Sequence, residues 1–151
     1  MRTIIVILFL LLSVSAIADQ SADIWAGNYS GLTQIERHLM DGKRLEFRGV
    51  RVVAHDELID PNQADNKGRG NCLRMGKGAA PVDTQREPVH LHHMLQDNEG
   101  IIVEINDDDH RLFYKDLHHY RTVSEINRAK FDSWKRHYWK HRAGMLCHVY
   151  R

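Results

Sequence analysis

The sequence predicts an α+β domain behind a removable leader. Three observations predict it: an alternating apolar stretch from Leu45 to Val53; a histidine-bearing segment, VHLHHMLQDNEG over 89–100, that turns into Ile101-Ile102-Val103-Glu104-Ile105; and a helical apolar pattern over 123–142. With 151 residues, 42% of them apolar, the chain has length for one domain and a modest core.

The leader comes first. Arg2 precedes an apolar run from Ile4 to Leu12, and Ala16-Ile17-Ala18 suits a cleavage site before Asp19, so residues 1–18 read as a secretory signal peptide. The run is short against the roughly 20 residues a membrane span needs. Export implies a secreted or periplasmic protein. Residues 19–49 carry no assigned role, although the strand-like pattern begins at Leu45 within them.

Asp60-Pro61-Asn62 opens a polar, turn-rich segment through Gly70, and 71–77 suits a short helix stopped by Gly76 and Gly78. The histidine segment, a turn at Asn98-Glu99-Gly100 and the run 101–105 make a hairpin. Asn106-Asp107-Asp108-Asp109 then supplies a helix cap and acids for the positive end of the dipole, with His110 in the first turn or so. Thr122-Val123-Ser124-Glu125 is a capping box ahead of a long helix, and Ile126, Phe131, Trp134 and Tyr138 keep helical spacing along it.

Net charge says little about partners: the formal +1 becomes 0 once Arg2 leaves with the leader. Its distribution says more. Between His110 and Arg142 nine Lys or Arg face three acids, Asp116, Glu125 and Asp132, with Trp134, Tyr138 and Trp139 interleaved. That pattern suits a phosphate-backbone surface, and a solvated helix face is the blander alternative. Cys72 and Cys147 are the only cysteines; in an oxidising compartment they pair or stay free.

Three histidines within four positions ask for a chemical explanation. Neutral imidazole is a common ligand for divalent metals, and three protein ligands leave positions open for water or phosphate. His92, His110 and His118 are the candidate ligands, with His93 off the metal as a base, because neighbours on a strand face opposite sides. On one straight helix His110 and His118 stand about 12 Å apart. Ligands to one cation lie within roughly 3–4 Å of each other. A shared metal therefore requires the helix to end near Tyr114 to Asp116, with Leu117-His118 folding back as an extended segment. The alternative is that these are surface histidines in a chain that has eleven.

Leu91-His92-His93-Met94-Leu95-Gln96, then Glu104, His110 and Leu117-His118, resembles the LHH group of the HNH/endonuclease VII superfamily, found among bacterial nuclease toxins. Upstream, Asp60-Pro61-Asn62, Gly68-Arg69, Asn71, Arg74-Met75 and Ala80-Pro81 are similar to the segment that precedes the signature, and Phe131 to Lys140 resembles the closing basic aromatic helix. The likeness covers roughly residues 50–145 and leaves a tail at 146–151.

The resemblance implies a ββα-metal core binding one divalent cation, from the set zinc, magnesium, manganese and nickel. It implies His92, His110 and His118 as ligands and His93 as the general base that activates water. His119 is a second candidate beside His118, which is preferred for its place after Leu117. The central Asn of the HNH name has no clear match; Gln96 or Glu104 is a candidate brace for the hairpin. The implied activity is endonucleolytic hydrolysis of DNA with little sequence preference, with Arg128, Lys135, Arg136 and Lys140 on phosphates, and the implied use is antagonism of other cells, restrained by a cognate immunity protein. RNA is the rival substrate, and a metal-stabilised nucleic-acid-binding module is the non-enzymatic rival.

Overall fold

The computed structural model describes residues 32–96, 98, 100–118 and 126–147. The expected leader at 1–18, His119 and the expected capping box at 122–125 lie outside the described residues. The described residues from Thr33 on belong to one unit.

Helix α1, Gln34–Leu39, starts at a reciprocal cap: the Thr33 hydroxyl accepts from the Glu36 amide, and the Glu36 carboxylate accepts from the Thr33 amide. Strands β1, Lys43–Phe47, and β2, Val50–Ala54, pair antiparallel. They are joined through Arg48 and Gly49, both at positive φ (52° and 75°). Two left-handed residues in a two-residue connection match the twist of the strands, so the alternating stretch becomes a hairpin. The sheet thus runs on both sides of residue 50.

Strand β3, His90–His93, pairs antiparallel with β4, Ile102–Ile105, and β4 pairs parallel with β2, giving the order β1-β2-β4-β3. Every residue of β4 is buried, as an interior strand covered on both faces requires.

Helix α2, Asn71–Gly76, is anchored by the buried Asn71, whose amide donates to the carbonyls of Asp60 and Val82 and accepts from the Val82 amide. Helix α3, Asp107–Leu112, begins as expected: the Asn106 side chain accepts from the Asp109 amide. The break that His110 and His118 require is present but sits earlier than the sequence suggests. It falls at Phe113, and Lys115-Asp116 lie inside a single helical turn, α4, Tyr114–Leu117, rather than at the corner. His118 follows that turn directly, so Leu117-His118 is not an extended segment.

Helix α5, Arg128–Leu146, also corrects an expectation. It starts at Arg128 and not at 123, with Ile126 and Asn127 outside it, and it runs past 142 to Leu146. The Asn127 side chain accepts from the Lys130 amide and supplies the cap.

Tyr138 and Trp139 of α5 are fully buried against Val52, Ile59, Met75, Val89 and Ile102. Truncating such an aromatic costs about 3–5 kcal/mol. Helices α2 and α5 pack together, and Gly78, at φ +80°, sits so close to α5 that a Cβ there meets the Arg136 carbonyl at 2.8 Å. Cys72 and Cys147 pair in a disulfide, Cα to Cα 5.7 Å, tying α2 to the end of α5 across 75 positions. Closing a loop of that size stabilises by roughly 4 kcal/mol in chain-entropy terms. No helix among the described residues is long and apolar enough to cross a membrane.

Candidate metal centre

Strand β3 delivers His92, α3 delivers His110, and the turn α4 delivers His118. Their ring centroids lie 5.7 Å (92 to 110), 5.1 Å (92 to 118) and 5.4 Å (110 to 118) apart. One nitrogen from each ring falls within 4.8 Å of the others. A cation with nitrogen bonds of about 2.1 Å draws its ligands to roughly 3–4 Å, so small ring rotations close the set.

The donors suit such a cation. His92 is 4% exposed, and its Nε2 is buried with no hydrogen-bond partner among the described residues. An orphaned buried nitrogen beside two other imidazoles is costly unless something binds it. Burial first, then the neighbouring His118, His110 and His93, pushes the His92 pKa down to about 3. Burial first, then His90 and His118, brings His110 to about 4. Both rings are therefore neutral at physiological pH with lone pairs available. His118 places Nδ1 2.9 Å from the Tyr114 carbonyl. Donation from Nδ1 sets the tautomer and leaves Nε2 as the acceptor, the usual backbone support of a ligand histidine.

His93 is outside this triad. Its ring stands edge-on to Phe131 of α5, centroids 4.4 Å apart. It nevertheless lines the same cleft as His92, His110 and His118, a depression of about 900 Å³. Arg128 and Lys135 line that cleft too, with the Lys135 ammonium 5.4 Å above the Phe131 ring and paired with Asp132. Arg136 and Lys140 are exposed on α5 but do not line the cleft.

The two candidate braces separate. Gln96, at φ +54°, lines the cleft. Glu104 is fully buried and lies behind the hairpin, accepting from the His55 amide, the Tyr138 hydroxyl and the Arg142 guanidinium. It fastens β4 to α5. Burial and the adjacent Glu104 charge both raise the Tyr138 pKa, keeping that hydroxyl a donor.

Sequence reasoning missed two neighbours of the triad. His90 stacks on His110, and Tyr114 stacks on His118 with centroids 4.2 Å apart. The signal for His90 was present, since residues 90 and 92 share one face of a strand. Nothing local marks Tyr114, whose place depends on the break at Phe113.

A family model described as a nuclease of the HNH/ENDO VII superfamily with conserved LHH matches residues 70–144, a span that holds all three converging histidines and His93. Residues 70–144 belong to the LHH nuclease family. No solved structure gives a significant match. The hairpin β3–β4 followed by α3 is the ββα core of this LHH domain, and the protein is a nuclease, hence a hydrolase acting on a nucleic acid.

Proposed function

We propose that this protein is an exported, metal-dependent endonuclease that cleaves DNA with little sequence preference. The observation that carries the proposal is the convergence of His92, His110 and His118 in a cleft that also holds His93, Arg128 and Lys135. A divalent cation held by the three imidazoles supplies electrostatic stabilisation for the charge that develops on the phosphate and the departing sugar oxygen.

The chain's own residues do the rest. His93 takes the proton of the attacking water, the general-base role for which an imidazole nitrogen is suited. Its ring is steadied by Phe131, so its orientation is tied to α5. Arg128 and Lys135 hold phosphates beside the site, and Arg136 and Lys140 extend the positive surface along the helix. Charge contacts of this kind position a backbone without reading bases, which supports weak sequence preference.

Export is supported by the leader pattern of residues 1–18 and by the Cys72–Cys147 disulfide, which suits an oxidising compartment. The resemblance to the LHH group found among bacterial toxins supports an antagonistic role, restrained by a cognate immunity protein.

The test is incubation of the chain lacking residues 1–18 with supercoiled plasmid and with folded RNA, each with and without chelator. Chelator-sensitive plasmid nicking supports the proposal. Preferential RNA cleavage makes the protein a ribonuclease with the same site. Cleavage of neither at full metal occupancy leaves a metal-stabilised binding module and overturns the catalytic reading.

A further inference from the structure

We infer that His90 and Asp107 act as a positioning pair that holds the His110 imidazole in place for the cation. The inference rests on the metal-dependent reading above. His92 is held by burial and His118 by the Tyr114 carbonyl. His110 has neither support: its ring is only half-buried, and among the described residues neither ring nitrogen has a hydrogen-bond partner. What it has is His90, whose ring lies over it with centroids 5.0 Å apart and planes 18° from parallel.

His90 is itself fixed from behind. Its Nε2 lies 2.7 Å from Asp107 Oδ1, and the other Asp107 oxygen accepts from Arg111 at 3.0 Å. Asp107 stands in the first turn of α3, three residues before His110, and is only 14% exposed. His90 stands two residues before His92 on β3. The pair therefore joins the strand that carries one ligand to the helix that carries another, and the stacked face limits rotation of His110 about its side-chain bonds. A ligand that rotates freely loses entropy on binding, and removing such support lowers metal affinity about ten- to a hundred-fold.

The experiment is calorimetric titration of chelator-stripped protein with Co²⁺, with the visible absorption of the bound ion recorded for wild type, His90→Ala, His90→Phe, Asp107→Ala and His92→Ala. Circular dichroism of each metal-free protein checks the fold. His90→Ala is expected to bind Co²⁺ about ten- to a hundred-fold more weakly with a changed spectrum. His90→Phe, which keeps a flat face over His110, is expected to recover part of the affinity. On plasmid DNA, His90→Ala lowers kcat at saturating metal and leaves KM unchanged. Wild-type affinity and spectrum in a folded His90→Ala overturn the inference. Should that variant not fold, undiminished affinity in Asp107→Ala overturns it equally. Failure of wild type to bind Co²⁺, or wild-type binding by His92→Ala, instead overturns the metal reading beneath it.

Discussion

Arg142 donates to both carboxylate oxygens of Glu104, at 2.8 and 3.1 Å, and neither side chain reaches solvent. The Arg142 guanidinium also meets Asp56 at 2.6 Å, and the Tyr138 hydroxyl donates to Glu104 at 2.7 Å. Four groups from β4, α5 and the turn after β2 thus share one buried charge pair, which locks the back of the hairpin whose front carries His92.

Removing Glu104 leaves Arg142 with only the part-exposed Asp56, and leaves the Tyr138 hydroxyl and the His55 amide without their buried acceptor. Glu104→Ala should therefore destabilise the protein by about 3–5 kcal/mol. Urea unfolding measures it. The Glu104→Leu, Arg142→Met double variant should lose less than Glu104→Ala alone; equal or larger loss in the double variant contradicts this account of the pair.

His93 touches Phe131 and stands outside the ligand set. His93→Ala should remain folded, bind metal as wild type does, and lose about 10²- to 10⁴-fold in kcat. Steady-state nicking kinetics alongside a metal titration separate the two effects. Undiminished turnover removes His93 from the chemistry.

The metal-free protein should weaken in mild acid. His92 and His110 have folded-state pKa values lowered to about 3 and about 4, from 6.5. The unfolded chain therefore takes up their protons below about pH 6.5 while the fold still refuses them, and unfolding becomes easier as pH falls from there toward 4 and then 3. Each histidine contributes a slope of at most about 1.4 kcal/mol per pH unit. Urea midpoints with chelator at pH 7.5, 6 and 5 should decline for wild type and more shallowly for His92→Gln. Parallel curves contradict the neutral buried imidazole.

Arg128 and Lys135 line the cleft. Replacing either by Ala should raise KM on plasmid DNA and reduce the dependence of log affinity on log salt by about one. Lys140, outside the cleft, should do less. Nicking rates from 50 to 200 mM salt provide the comparison, and an equal effect of Lys140→Ala shows that the charge of α5 acts without regard to the cleft.

Much of this architecture was legible because it is local. The Asn106 cap, the helix at 71 and the hairpin from His90 to Ile105 follow from residues within a few positions of each other, whereas the run from Leu45 to Val53 reads as strand without announcing its turn at Arg48 and Gly49. The requirement for a break between His110 and His118 was also legible, since a straight helix cannot bring them together. Its place was not, because Phe113 is no helix breaker in isolation; the corner arises where α4 packs on α1, a contact between distant segments. The start of α5 was misplaced for a similar reason. Thr122 and Glu125 offer a cap, yet Asn127 is the residue that caps the helix. The burial of Glu104 and Arg142 depends on their pairing across 38 positions, and no local pattern reports that.

The most direct test of the central claim, that His92, His110 and His118 jointly hold the cation on which cleavage depends, is plasmid nicking by chelator-stripped protein as metal is returned. Activity is expected to be absent when stripped and to rise to saturation at one equivalent of metal, and a folded His92→Ala is expected to stay inactive through the same range. Full activity in the stripped protein, or recovery of His92→Ala along the wild-type curve, contradicts it.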